Sequence, residues 1–358
     1  MSKTLLFLPD ISGYTEFVQT TEISHSQHVI SELLEILLSA NTENLQLAEI
    51  EGDALFFYKE ELISSEKLLA QVENMFSSFY SHLKVLEKNR ICLCNACASA
   101  PKLQLKIIAH CGDIEFIHVQ NKKKPFGSQV IEAHRLMKNS INSDNYVLIT
   151  NQLADEIKLN HKYSSMLFEF HSGKDAYDHK TIPYLFSLIK KENIKLHLFS
   201  EAKKVSFEKE PTIILEYKFS TAAHHLLEYI TNYSKRHLWT EGIEKIEFKK
   251  NEVTRIGSEH VCVVDGKRLN FITVTTDANT NEIVYGEYTT SPSLFDALYQ
   301  FFKITPATDH SCILKIEVRI VAKSIFKKIV VALIAEKTLK KNINASILKL
   351  KELVVSEE

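Results

Sequence analysis

Two aspartates and a run of cysteines carry the chemistry that is easiest to read in this chain. Asp10 follows the apolar stretch 4–9, and Asp53 closes the turn Glu51-Gly52-Asp53. One side chain at a strand end and one in a hairpin turn can converge on a single point. Two carboxylates without thiolates suit a hard divalent cation such as Mg²⁺. Aspartates also serve turns by bonding their own backbone, so the pair has a bland explanation beside the metal one. Cys92, Cys94 and Cys97 put three thiols into one short segment, and Cys111 follows. Thiolates select Zn²⁺, Cu(I) or iron–sulfur clusters, and a structural Zn²⁺ takes four ligands. The spacing predicts Zn²⁺ or an iron–sulfur site on Cys92, Cys94 and Cys97, with Cys111, His110 or a second subunit completing it. Reduced surface thiols or a redox dithiol are the alternatives.

Hydrophobic period shows which elements must position these residues. Residues 4–9 read as a buried strand, 13–20 as a helix, and 28–38 as a helix through Val29, Ile30, Leu33, Leu34 and Leu37. Strands are expected at 45–50 and 54–58, a helix at 68–86, and strands at 103–110 and 114–119. A helix at 127–140 and a strand at 146–149 follow. The order β-α-α-β-β-α-β-β-α-β predicts an α+β sandwich with antiparallel hairpins, not a doubly wound parallel sheet. The charged, weakly periodic stretch 191–210 reads as a linker. It separates a first domain, 1–190 with a Cys-rich insert at 88–101, from a second at 211–358.

In the second domain we expect a strand at 213–219, a helix at 221–233, several short strands, and one long closing helix over 323–351. Ile325, Phe326, Ile329, Val330, Leu333 and Ile334 would face its core or a cavity. The lysines at 323, 327, 328, 337, 340 and 341 would form a solvated face or, as the alternative, touch anionic lipid. His224, His225 and His237 are cavity candidates, and Trp239 reads as a core or cavity-mouth aromatic.

Composition narrows the function classes. The chain has 358 residues, 45% apolar and 25% charged, which is ordinary for a globular protein. Lys+Arg 43 against Asp+Glu 45 leaves no global basic field for nucleic acid. Only 9 glycines occur, with neither a P-loop nor a G-x-G-x-x-G phosphate cradle. The start lacks the apolar core of a secretory signal, and the most apolar late stretch, 329–335, is too short to span a membrane. A cytoplasmic protein is expected.

The string Phe7-Leu8-Pro9-Asp10-Ile11-Ser12-Gly13-Tyr14-Thr15 resembles the F-x-D-I-x-G-F-T signature of class III nucleotidyl cyclases. Glu49-Ile50-Glu51-Gly52-Asp53-Ala54 is similar to their second metal hairpin. His110-Cys111-Gly112 resembles the end of their G-I-H-x-G strand, and 127–136 their G-x-x-V-N-x-A-x-R-L helix. These matches run in family order over about 4–188. The resemblance implies a ferredoxin-like core and two Mg²⁺ or Mn²⁺ ions held by Asp10, the Ile11 carbonyl and Asp53. It also implies Arg135 on the transferring phosphate, Lys180 on the phosphate chain, and purine reading at Glu49 and Lys124. A carboxylate at Glu49 accepts from guanine N1 and N2, so GTP is favoured over ATP, and such sites form in homodimers. The family's transition-state Asn is Ile131 in this chain, and Lys124 matches neither purine-reading version.

Three later stretches, Glu216-Tyr217-Lys218-Phe219, Trp239-Thr240-Glu241-Gly242 and 255–262, resemble the polyketide-cyclase-like branch of START-like helix-grip domains. That resemblance implies a curved sheet around a long helix and a hydrophobic small-molecule ligand. Two functional readings follow. One is a cyclase-like enzyme tuned by that ligand. The other is a non-catalytic sensor of metal or nucleotide and a lipid-like molecule.

Overall fold

The run Thr4–Ser12 is buried along its whole length and forms an interior strand, β1. A strand hidden on both faces needs neighbours on both edges and cover on both sides, and the surrounding sequence supplies them. In the computed structural model the described residues are 3–92, 94–120, 122–177, 180–198, 204–249, 253–264, 266–291, 295–331 and 336–357. They fall into two units, 1–85 with 99–199 and 86–98 with 200–358.

In chain order the elements up to residue 188 are β1, α1 (Tyr14–Thr20), α2 (Ile23–Ser39), β2 (Gln46–Glu51), β3 (Ala54–Lys59), α3 (Ser65–Lys88) and α4 (Asn95–Ser99). Then come β4 (Gln104–Gly112), β5 (Glu115–Val119), β6 (Lys122–Phe126), α5 (Ser128–Arg135), β7 (Tyr146–Thr150), α6 (Asn151–Glu156), β8 (His171–Tyr177) and β9 (Lys180–Leu188). The first unit's sheet has the order β2-β3-β1-β4-β7-β9-β8, and β5-β6 form a separate ribbon. β1 runs antiparallel to β3 and β4, whereas β4 and β7 are parallel. The order β2-β3-β1-β4, with helices between β1 and β2 and between β3 and β4, is a split β-α-β arrangement. Leu6, Leu8, Phe56, Tyr58, Ile108 and Leu148 share one sheet face with Ala133 and Leu136 from the α5 segment. The helix expected at 127–140 ends at Arg135, and the 171–188 hairpin has no counterpart in the expectation.

The register places the candidate site. Asp10 lies opposite Ala54 on β3 and opposite Lys106 on β4. The turn before Ala54 is closed by Gly52 at φ 66. The space a Cβ would occupy there is open, so the backbone angle alone asks for glycine. Asp53 follows, and its carbonyl accepts from Ile11 N–H at 3.2 Å.

The second unit is built on β10 (Ile213–Phe219), α7 (Ala223–Thr231), α8 (Tyr233–Trp239), β11 (Ile243–Glu247), β12 (Glu259–Val264), β13 (Lys267–Val274), β14 (Ile283–Thr289), β15 (Ala297–Thr308), β16 (Ser311–Val321), α9 (Ile325–Val330) and α10 (Glu336–Glu357). Its seven strands run β10-β16-β15-β14-β13-β12-β11, antiparallel at every pairing. Ile343, Ile347, Leu350 and Val354 recur at helical spacing on α10 and join Trp239, Phe302, Ile316 and Val318 in its core.

Two expectations need correction here. Within the expected closing helix, Ile325–Val330 and Glu336–Glu357 are described as helical and 332–335 lie outside the described residues, while Ile325 and Phe326 are 77% and 76% exposed instead of buried. Ile329 is also exposed, while Leu333, Ile334 and the Val330 side chain lie outside the described residues. The Cys-rich stretch, expected as an insert of the first domain, contributes Ile91, Cys92 and Cys97 to the second unit's core. Ile256 N–H bonds the Asn89 carbonyl at 2.9 Å and ties that stretch down.

Candidate functional site

The carboxyl groups of Asp10 and Asp53 meet beside the end of β1. Asp10 is buried, and Lys106 Nζ sits 2.8 Å from its Oδ2. Burial, the charge of Asp10 and a hydrogen bond to it push the Asp53 carboxyl up to about 7, against a backbone bond and Lys106. Near neutral pH two acidic groups therefore face the Lys106 ammonium, and Asp53 retains a proton part of the time. A like-charge carboxyl pair of this kind can exchange its proton for a metal cation. Alternation along 103–110 sets Lys106 on a strand face, but nothing in the sequence pairs it with Asp10.

The two positions that the resemblance assigns to purine reading come together as an ion pair. Lys124 Nζ on β6 lies 2.8 Å from Glu49 Oε2 on β2, both partly exposed. Arg135 ends α5 with its side chain exposed. Lys180, at the start of β9, pairs with Glu132 of α5 at 2.6 Å. Ile131, on the same helix, is 56% exposed, and Leu47, Ile50, Ile117 and Phe126 are exposed on β2, β5 and β6. Residues 178 and 179, just before Lys180, lie outside the described residues.

His110 and Cys111 do not serve the cysteine segment. His110 is fully buried, its Nδ1 2.9 Å from Thr150 Oγ1 and its Nε2 2.8 Å from Gln129 Oε1. Burial holds its pKa down. Gln129 can lie there because residue 112 is glycine: a Cβ on Gly112 would stand 2.4 Å from Gln129 Cγ. Cys111 is buried in β4, and burial pushes its thiol up to about 12. Strand alternation and burial, not sequence proximity, decide its partners.

The sulfurs of Cys92, Cys94 and Cys97 lie within 4.8 Å of one another. The Cys94 N–H donates to Cys92 Sγ and the Cys97 N–H to Cys94 Sγ, each at 3.4 Å. All six cysteines of the chain are thiols, not disulfides.

A buried polar network on the second unit's sheet was invisible to local sequence patterns. Arg236 Nη2 of α8 donates to Glu287 Oε2 of β14 at 2.9 Å, and Arg236 Nη1 to the Ile230 carbonyl at 2.8 Å. Tyr285 Oη donates to Glu287 Oε1 at 2.6 Å, and Tyr233 Oη lies 3.1 Å from both Tyr285 Oη and Thr273 Oγ1. Burial works to raise the Glu287 carboxyl, but Arg236, His260 and these hydrogen bonds outweigh it and hold it below the usual range. Burial pushes His260, 3.5 Å from Glu287, down to about 4. His224 and His225 line a cleft of about 450 Å³ with Thr221 and His310, His237 is exposed, and Trp239 is core.

Several known proteins resemble parts of this chain. A family model described as a protein of unknown function (DUF2652) matches residues 30–146. An uncharacterized protein of Mycobacterium tuberculosis is 28% identical over 125 residues, 35% of this chain, and the match spans 58% of that relative's length. The adenylyl cyclase CyaB from P. aeruginosa is similar in structure at 15% identity and TM-score 0.40, over 54% of this chain and 97% of that one. A norcoclaurine synthase from Thalictrum is similar at 18% identity and TM-score 0.32, over 40% of this chain and 94% of that one. Among the described residues no helix is long and apolar enough to cross a membrane.

Proposed function

We propose that the first unit is a cytoplasmic class III nucleotidyl cyclase-like domain that takes Mg²⁺ or Mn²⁺ and a nucleoside triphosphate, GTP ahead of ATP. The observation that carries this reading is the meeting of Asp10 and Asp53 with the Lys106 ammonium as counter-charge. Asp10, Asp53 and the Ile11 carbonyl would hold the metal, which when bound supplies a Lewis acid for the ribose 3′-hydroxyl and charge for the triphosphate. Arg135 is the candidate to stabilise charge on the transferring phosphate, as a guanidinium matches phosphate oxygens in a fork. Lys180 reaches the phosphate chain only by leaving Glu132. Glu49, paired with Lys124 through Oε2, would accept from guanine beside that lysine or in its place.

A homodimer is supported by the exposed apolar residues on β2, β5, β6 and α5, which a second copy would cover. The second unit is read as a START-like, polyketide-cyclase-like helix-grip domain for a hydrophobic small molecule. Its support is the antiparallel sheet on which α10 lays an apolar stripe.

The second reading is a non-catalytic sensor. Ile131 cannot donate to the ribose oxygen, and loss of one such donor typically costs about 10²–10³ in rate. The Glu49–Lys124 pair also holds the base-reading groups against each other. The test is cyclic-nucleotide formation from each of the four nucleoside triphosphates with Mn²⁺, beside an Asp10→Ala control. Product lost in the control establishes the enzyme. Nucleotide binding without product establishes the sensor. Neither binding nor product defeats both.

A further inference from the structure

We propose that Cys92, Cys94 and Cys97 hold one Zn²⁺ as thiolates, and that this ion fixes the local fold of the 92–97 turn. The site is separate from the carboxyl pair and does not depend on the cyclase reading. Three observations carry it. The sulfurs already lie within 4.8 Å of one another, close to the spacing that a tetrahedral ion imposes on its ligands at Zn–S distances of about 2.3 Å. Two backbone N–H groups point at sulfurs of the set, the outer support that orients and stabilises metal-bound thiolates. Cys92 and Cys97 also belong to an apolar core, where an ion–thiolate attraction is weakly screened.

The other uses of three adjacent thiols fit less well. A disulfide between any two of them strands the third. As plain core residues, three thiols crowded together fill space no better than alanine or valine would. Thiolate donors select a soft or borderline ion over Mg²⁺ or Ca²⁺. Binding converts three S–H groups into three S–Zn bonds and releases three protons, with no change of oxidation state. The fourth position falls to a nitrogen, an oxygen or solvent. The remaining cysteines, Cys111, Cys262 and Cys312, are buried in β4, β12 and β16 and stand outside the group.

Because the segment lies within the stretch 86–98 that packs with 200–358, ion binding should couple to the second unit's stability. The test is elemental analysis of the purified full-length protein, followed by Co²⁺ titration of the metal-stripped chain. About one zinc per chain is expected, and stoichiometric Co²⁺ should give thiolate-to-metal charge-transfer and tetrahedral ligand-field bands. Cys94→Ser should remove most of the zinc and weaken the cobalt bands, whereas Cys111→Ser and Asp10→Ala keep both at wild-type level. Zinc lost in Cys111→Ser would overturn the ligand set, and iron with inorganic sulfide would overturn the mononuclear ion. Folded wild-type protein without zinc and without cobalt bands would overturn the site itself. Since cobalt titration uses wild-type protein, it stands even where Cys94→Ser fails to fold.

Discussion

Each unit buries carboxylates against its sheet, and the two treat the charge in opposite ways. Around Glu287 the charges match: one carboxylate faces Arg236, and Tyr285 adds a hydroxyl donor. At Asp10 and Asp53 two acidic groups share Lys106, and Asp53 is left holding a proton near neutrality. A matched buried carboxylate is complete within the chain. An undermatched one has room for a further cation. The same side-chain chemistry thus points to structure in one place and to binding in the other.

The largest effect should come from unbalancing the matched centre. Glu287→Ala leaves the Arg236 guanidinium buried without its carboxylate and should cost about 3–5 kcal/mol. Glu287→Gln, which keeps an acceptor, should cost less. Denaturant melts of the full chain measure both, and an alanine cost below about 1 kcal/mol would erase the contrast between the centres.

Next comes the response of the undermatched centre to metal. At a hundredfold excess over its dissociation constant, Mn²⁺ should stabilise the fold by about 2.7 kcal/mol, and Asp53→Asn should abolish that gain. The pH dependence has a definite sign. The Asp53 pKa is raised in the folded chain from 3.8 to about 7. Its contribution to metal-free stability is therefore fully present below the unfolded value and is lost as pH rises through the folded one. Metal and proton compete for this carboxylate, so the thermal shift produced by Mn²⁺ should be larger at pH 8 than at pH 6. A shift independent of pH would disprove this linkage.

Lys106→Gln tests the middle of the scale. It removes the ammonium that faces Asp10, and the metal should then bind several-fold tighter, about 1 kcal/mol, by isothermal titration. Weaker binding would mean that the lysine belongs to the metal-bound state. The smallest effect belongs to the Glu49–Lys124 pair, which is partly exposed. Lys124→Ala should change stability by less than about 1 kcal/mol while changing the GTP-to-ATP binding ratio.

The sequence disclosed parts of this contrast. β1, β3 and β10 are legible as apolar runs, and Asp10 and Asp53 stand out because strand and turn signals flank them. The pairing of Lys106 with Asp10 stayed hidden because it depends on register with β1, which local period does not encode. Arg236 and Glu287 are 51 residues apart, and each sits in a segment that reads as ordinary amphipathic structure. On α10 the core stripe is Ile343, Ile347, Leu350 and Val354, although the stretch before it is the more apolar in sequence. Apolar character ranks segments for burial, and the sheet's geometry then selects among them. The cysteine segment shows the same limit, since no local pattern says which unit a short excursion will join.

That excursion has a consequence for synthesis. Translation delivers 86–98 well before β10 to β16 and α10, the elements that share its core. Ile91, Cys92 and Cys97 must wait in the nascent chain until the last helix clears the ribosome, so the two units cannot mature as strictly successive domains. A gene cut between residues 199 and 200 would give two products, the first carrying a segment without its core and the second a core missing one of its walls.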